Sequence, residues 1–177
     1  MGVWGRCLFQ KAPPPGKANK FAHLQSPNFY GENKEKTDGI NGIQHWGVRC
    51  YSSKDLYNWK DEDIIIEPEP DDTESSLNPY NVSERPHIIY NERTKKYVAW
   101  IKNINRDATQ TETVLTADNF LGPYKKVRQG IRPLGMSAGD FDLAVAPDGK
   151  AYYFERVHSE TICADLTDDY TDVTGYY

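Results

Sequence analysis

Apolar positions along the chain come in short clusters separated by polar, turn-forming residues, and no stretch carries a convincing helical period. The clearest unit runs from Ser83 to Trp100, SERPHIIYNERTKKYVAW. His87-Ile88-Ile89-Tyr90 is β-branched and aromatic, Asn91 to Lys95 is turn material, and Tyr97-Val98-Ala99-Trp100 resumes a strand. The pattern predicts a hairpin. Pro86 stands where its missing N–H falls outside the ladder, and it biases Arg85 toward extended backbone. Glu84 and Arg85 are therefore expected at a strand mouth. Such a pair is either part of a site or a surface ion pair of little worth.

Similar clusters occur on both sides of this unit. Residues 1–27 show no regular pattern, and Asn28-Phe29-Tyr30-Gly31 reads as a short strand. Gly47 to Ser52 is a strand, a turn leads to Trp59, and Ile64-Ile65-Ile66 closes the group. Residues 67–80 hold three prolines and five acidic side chains, which predicts a linker. Strands follow at Glu112–Thr116, Tyr124–Val127, Phe141–Val145, Ala151–Phe154 and Thr161–Ala164, with Pro147-Asp148-Gly149 as a hairpin turn.

The clusters also repeat. Tyr51-Ser-Ser-Lys-Asp-Leu-Tyr-Asn-Trp59, Leu115-Thr-Ala-Asp-Asn-Phe-Leu-Gly-Pro-Tyr124 and Ala164-Asp-Leu-Thr-Asp-Asp-Tyr170 each join a strand end, a polar turn and an aromatic residue. A period of roughly 50–65 residues with four short strands per unit predicts an all-β propeller built from four-stranded antiparallel blades. A β-sandwich fits the strand count but not the repeat.

Composition narrows the function classes. At 177 residues with 38% hydrophobic, 12% aromatic and 27% charged side chains, the chain has enough apolar surface for one folded domain. A formal charge of −5 and a pI near 5.4 argue against a nucleic-acid partner. No apolar run approaches the ~20 residues of a membrane span. Residues 1–24 lack the continuous apolar segment of an export signal. Cys7, Cys50 and Cys163 are an odd, widely spaced set without a CxxC pattern, so no metal or other cofactor is implied. Cys50 and Cys163 read as buried free thiols. Asn81-Val82-Ser83 fits the N-glycosylation acceptor pattern, which carries little weight without a secretory context.

An ordered set of motifs carries a family resemblance. Tyr30-Gly-Glu-Asn-Lys-Glu35, Gly47-Val-Arg-Cys-Tyr-Ser-Ser-Lys-Asp-Leu-Tyr-Asn-Trp59 and Glu84-Arg-Pro-His-Ile-Ile-Tyr-Asn91 resemble the family 43 glycoside hydrolases, and among them the exo-β-1,3-galactanases. Gly122-Pro123-Tyr124, Arg132-Pro133-Leu134-Gly135 and Asp148-Gly-Lys-Ala-Tyr152 continue the match over residues 28–175. The resemblance implies a five-bladed propeller, of which 28–177 would supply about three blades, with the site at the centre of one face. It implies a galactose-containing polysaccharide or oligosaccharide as partner, no cofactor, and a family that is usually secreted.

Residue by residue, Asp140 matches the family's third-blade aspartate, which orients the general acid and tunes its pKa. Glu84 matches the glutamate that touches substrate and is a candidate base. The base role is open, because this branch lacks the usual first-blade aspartate. Glu32 matches a first-blade glutamate lining the pocket, and Arg85 stands beside Glu84 in the same motif. Tyr30, Trp46 and Trp100 are candidates for stacking on a sugar face, against the ordinary role of propeller aromatics as core. Asp142 departs from the family, which has an uncharged residue there. His45 and His87 read as structural.

Inverting glycosidases need two carboxyl groups ~6.5–9.5 Å apart, one of them protonated. The family's acid lies in a fourth-blade stretch that the sequence does not reach, so the expectation is a pocket without its proton donor. Three outcomes remain open: a truncated hydrolase, a carbohydrate-binding or interaction remnant, or a fragment with no independent function. Open blade edges would favour self-association. If the propeller is right, Glu32, Glu84 and Asp140 should share one cleft, with Arg85 or Arg49 offsetting their charge.

Overall fold

The computed structural model describes residues 8–11, 21–25, 43–157 and 159–176. These form three four-stranded antiparallel sheets. Sheet 1 contains β1 (Leu8–Lys11), β2 (Phe21–Gln25), β3 (Val48–Ser53) and β4 (Trp59–Ile66). Sheet 2 contains β5 (Val82–Asn91), β6 (Lys96–Ile104), β7 (Gln110–Ala117) and β8 (Lys125–Ile131). Sheet 3 contains β9 (Asp140–Val145), β10 (Ala151–Val157), β11 (Glu160–Leu166) and β12 (Val173–Tyr176). Among the described residues the one helical element is a 3-10 turn at Pro133–Gly135.

Each sheet is a meander whose strands follow one another in space, and its first strand meets the first strand of its neighbour. β5 packs against β1 and β2 on one side and β9 on the other. First strands gathered together with later strands fanning outward are the arrangement of propeller blades. This fits the repeat and excludes the two-sheet sandwich.

Sheet 2 sits between the other two, and its alternating side chains divide between two cores. Ile88, Ala99, Ile101 and Leu115 join Leu24, Val48, Cys50 and Ile66 of sheet 1. Ile89, Val98, Trp100 and Val114 join Phe141, Leu143, Tyr153 and Leu166 of sheet 3. This explains the near-continuous apolar run of β6, where Tyr97 through Asn103 are all buried. Trp100 is 0% exposed, its Nε1 donating to the Tyr170 carbonyl at 2.9 Å, so it is core and stacks on no sugar. Phe141 and Tyr153 stack at 5.6 Å with an 11° interplanar angle.

The turns follow from their chemistry. Asn91 Oδ1 accepts the N–H groups of Arg93 and Thr94 at 3.0 and 2.9 Å, which closes the β5–β6 hairpin. Asp148 Oδ1 accepts Lys150 N–H at 3.0 Å, and Gly149 takes the left-handed φ of 85° that the β9–β10 turn requires.

Several expectations are corrected. Residues 1–27 contain β1 and β2, two short strands whose pattern carries no distinctive alternation. Residues 67–80 are not a solvated linker. Ser75 to Pro79 are buried, Leu77 enters the first core, and Asn78 Nδ2 donates to the carbonyls of Glu69, Pro70 and Asp72. Lys126 reaches Glu69 Oε2 at 2.6 Å and fastens the segment to β8. β12 begins at Val173, three residues after Tyr170, the aromatic that ends the third repeat. The strand proposed at 28–31 lies outside the described residues.

Candidate functional site

Strand direction alternates, so the start of β5, the end of β6, the start of β7 and the start of β9 share one end of the sheets. In sheet 2 that end carries one polar rung, because Glu84 pairs with Lys102 and Lys102 pairs with Glu112 in the strand register. Asp140 opens β9 opposite it. Lys102 Nζ stands 3.9 Å from Glu84 Oε2 and 3.8 Å from Asp140 Oδ1. Arg85 Nη2 meets Asp140 Oδ2 at 2.5 Å. Two of the expected carboxylates, separated by 56 residues in sequence, thus converge on one cation pair.

Arg85 is not extended. A bulge between Glu84 and His87 interrupts the β5–β6 register, and Arg85 takes φ 50°. Bulges of this kind re-aim side chains, and here the bend turns Arg85 out of sheet 2 toward sheet 3. Pro86 sits in the bulge, where no ladder hydrogen bond is lost. A left-handed non-glycine residue costs on the order of 1–3 kcal/mol.

A second contact lies two residues further along both strands. His87 Nδ1 is 3.0 Å from Asp142 Oδ1. The imidazole, together with the Leu143 N–H at 2.8 Å, holds the Asp142 carboxyl below its usual range. Asp142 is thereby matched to this chain's own His87. His87 is buried, as a structural residue should be, but it has an acidic partner that the sequence reading did not assign.

Behind the rung is a feature that sequence reasoning missed. Glu112 and Glu155 are 0% and 2% exposed, with Tyr153 Oη between them at 2.7 and 3.1 Å. Strand parity was the available signal. Glu112 shares a face with Val114, Glu155 with Tyr153, and Lys102 with Trp100, all core positions. The sheet 2–sheet 3 core therefore grades into an ionisable cluster beneath the end that carries Glu84 and Asp140.

The remaining expected residues are placed as follows. Trp46 is 43% exposed on the segment entering β3, which is held through the Gln44 and His45 N–H groups to the Pro79 carbonyl, just ahead of β5. Its neighbour His45 is structural. His45 Nδ1 accepts Gly47 N–H at 3.1 Å, so Nε2 carries the proton toward the Asn78 carbonyl at 3.2 Å. Burial lowers its pKa to about 4. Arg49 does not enter the cleft and pairs instead with Asp61 at 2.6 Å and Asp63 at 3.4 Å. Tyr30 and Glu32 lie outside the described residues. Cys50 is buried in the first core, and burial pushes its thiol up to about 12. Cys163 is half-buried. No cluster of three or more His, Cys, Asp or Glu able to hold a metal occurs among the described residues.

Comparison with solved structures defines the class. A GH43 β-1,3-galactosidase aligns with 96% of this chain at 28% identity and a TM-score of 0.72, over 33% of its own length. An exo-β-1,3-galactanase from Phanerochaete chrysosporium, solved with β-1,3-galactotriose, aligns with 98% at 21% identity and a TM-score of 0.75, over 38% of its length. A second GH43 β-1,3-galactosidase, solved with galactodeoxynojirimycin, aligns with 97% at 24% identity and a TM-score of 0.72, over 60% of its length. No protein-family model and no curated protein matches the chain. The chain has a glycoside hydrolase-like fold, forming part of a five-bladed β-propeller. Its likeness is to the family 43 exo-β-1,3-galactanases and β-1,3-galactosidases, of which it spans between a third and three-fifths.

Proposed function

We propose that this chain supplies a galactose-recognising part of an exo-β-1,3-galactanase-like propeller, acting at the galactosyl ends of galactan side chains. The observation that carries the reading is the convergence of Glu84 and Asp140 on Lys102 at 3.9 and 3.8 Å, from neighbouring blades. Asp140 is assigned the orienting and pKa-modulating role toward a general acid. Glu84 contacts substrate or serves as base, Arg85 binds beside it, and Glu32, Tyr30 and Trp46 complete the pocket rim.

Glu84 faces Lys102, and Asp140 faces both Lys102 and Arg85, an arrangement suited to accepting hydrogen bonds from sugar hydroxyls. Glu112, the acid best suited to hold a proton, is fully buried and out of reach of substrate. These observations favour a chain that binds but does not itself supply the general acid, which also keeps the non-catalytic carbohydrate-binding reading in place. On the same reading, Tyr152 and Phe154 of sheet 3, half-buried on the side away from sheet 2, mark a face for self-association.

The test is to offer the chain β-1,3-galactan and an aryl β-galactoside with a good leaving group. General acid catalysis contributes about 10²–10⁴-fold, and the aryl substrate depends on it least. The expected result is no galactose from native galactan and at most slow cleavage of the aryl glycoside. Robust release from native galactan would show that the chain carries its own acid.

A further inference from the structure

Tyr153 Oη lies 2.7 Å from Glu112 Oε1 and 3.1 Å from Glu155 Oε2. A phenol has one proton and cannot donate it fully to two carboxylates. The arrangement closes when one carboxyl brings its own proton. Burial raises the pKa of both acids, and Glu112, the more deeply enclosed, is pushed up to about 8. Its Oε2 has no hydrogen-bond partner, which a neutral acid tolerates far better than a carboxylate. Glu112 is therefore the protonated member and Glu155 the ionised one.

The other oxygen of Glu155 reaches the segment that leads into Asp140. Oε1 accepts the Gly139 N–H at 2.5 Å, and Gly139 immediately precedes Asp140. The approach is close enough that a Cβ at position 139 would stand 2.6 Å from that oxygen and 3.2 Å from the Arg156 carbonyl. A side chain at position 139 would therefore push the Glu155 carboxylate off this contact.

We propose that Glu155 is the positioning residue of Asp140, with the chain Glu112–Tyr153–Glu155–Gly139 fixing the backbone that aims Asp140 at Arg85 and Lys102. The functional meaning rests on the reading of Asp140 as a pocket carboxylate, whereas the positioning itself does not. A charged acceptor on an amide at this distance is among the stronger hydrogen bonds of a protein. Without it, the segment leading into β9 would lose its side-chain tie to β10 and keep only the Asp140–Arg156 pairing of the strand register.

The test compares Glu155→Gln, which keeps an acceptor for Gly139 and a partner for Tyr153, with Glu155→Met, which keeps the volume and removes both. The first readout is nuclear magnetic resonance of the Gly139 amide and the Arg85 guanidinium N–H signals, without ligand. Glu155→Met should move the Gly139 amide upfield and shift the Arg85 signals toward their solvent-averaged position, while Glu155→Gln stays near the parent. Gly139→Ala, which crowds the same contact from the other side, should reproduce the Met pattern. The second readout is affinity for β-1,3-galactobiose, expected to fall about tenfold in Glu155→Met and by less than about twofold in Glu155→Gln. Unchanged Arg85 signals in both Glu155→Met and Gly139→Ala would overturn the proposal, as would a Gln variant as impaired as the Met variant. If no form binds galactobiose, the sugar-binding reading fails while the spectra still decide the positioning role.

Discussion

Arg85 Nη2 and Asp140 Oδ2 meet at 2.5 Å across the gap between sheet 2 and sheet 3. The contact requires Arg85 to stand in the left-handed region at φ 50°, within a bulge that breaks the β5–β6 register. Two residues on, His87 and Asp142 repeat the crossing at 3.0 Å. The first strands of two blades are therefore joined at this end by an ion pair and a histidine–carboxylate contact.

Arg85→Gly separates the two consequences of this contact. Glycine relieves the positive φ, a gain of about 1 kcal/mol, and loses a partly exposed ion pair of similar worth. Thermal denaturation should therefore find the variant within about 1 kcal/mol of the parent. Sugar binding, if Arg85 serves the pocket, should be lost.

The buried acid gives the stability a definite pH dependence. Glu112 has a folded pKa of about 8 against an ordinary 4.5, so between these values the folded state holds a proton that the unfolded state has released. Stability should fall as pH rises from about 4.5 toward 8 and then level off, a change on the order of a few kcal/mol. Asp142, held below its usual value by His87, acts in the opposite sense and loses its contribution as pH falls through the acid range. Denaturant midpoints at pH 5 and pH 8 should differ clearly in the parent and much less in Glu112→Gln.

Leu115 is 1% exposed in the core between sheets 1 and 2. Leu115→Ala should cost about 2–5 kcal/mol, read as a lowered denaturant midpoint. Because this core is separate from the one between sheets 2 and 3, the Gly139 and Arg85 resonances should keep their positions in the folded variant.

The sequence announced those parts of the fold whose chemistry is local. Asn91 and Gly149 set two hairpins through their own side-chain or backbone preferences, and Tyr97 to Trp100 declared a strand. Glu84 and Asp140 were singled out by an ordered set of family motifs, and the fold brings them to 3.9 and 3.8 Å from Lys102. What stayed hidden depends on distant partners. Leu8–Lys11 and Phe21–Gln25 are too short to show alternation on their own. Ser75 to Pro79 look solvated because their polar groups turn inward onto Asn103, Thr113 and backbone carbonyls. Glu112, Glu155 and Lys102 look like surface charges, since a period of two names a face but does not say that both faces are covered. The bend at Arg85 runs against the extended preference before proline and follows from the bulge.

The most direct measurement is a titration of the isotopically labelled chain with β-1,3-galactobiose, followed residue by residue in nuclear magnetic resonance. The account predicts that the perturbed signals centre on Glu84, Arg85, Lys102 and Asp140, and that Glu84→Gln or Asp140→Asn weakens binding about tenfold or more. Perturbations confined to the opposite hairpin end of the sheets, or no perturbation at millimolar sugar, would contradict it.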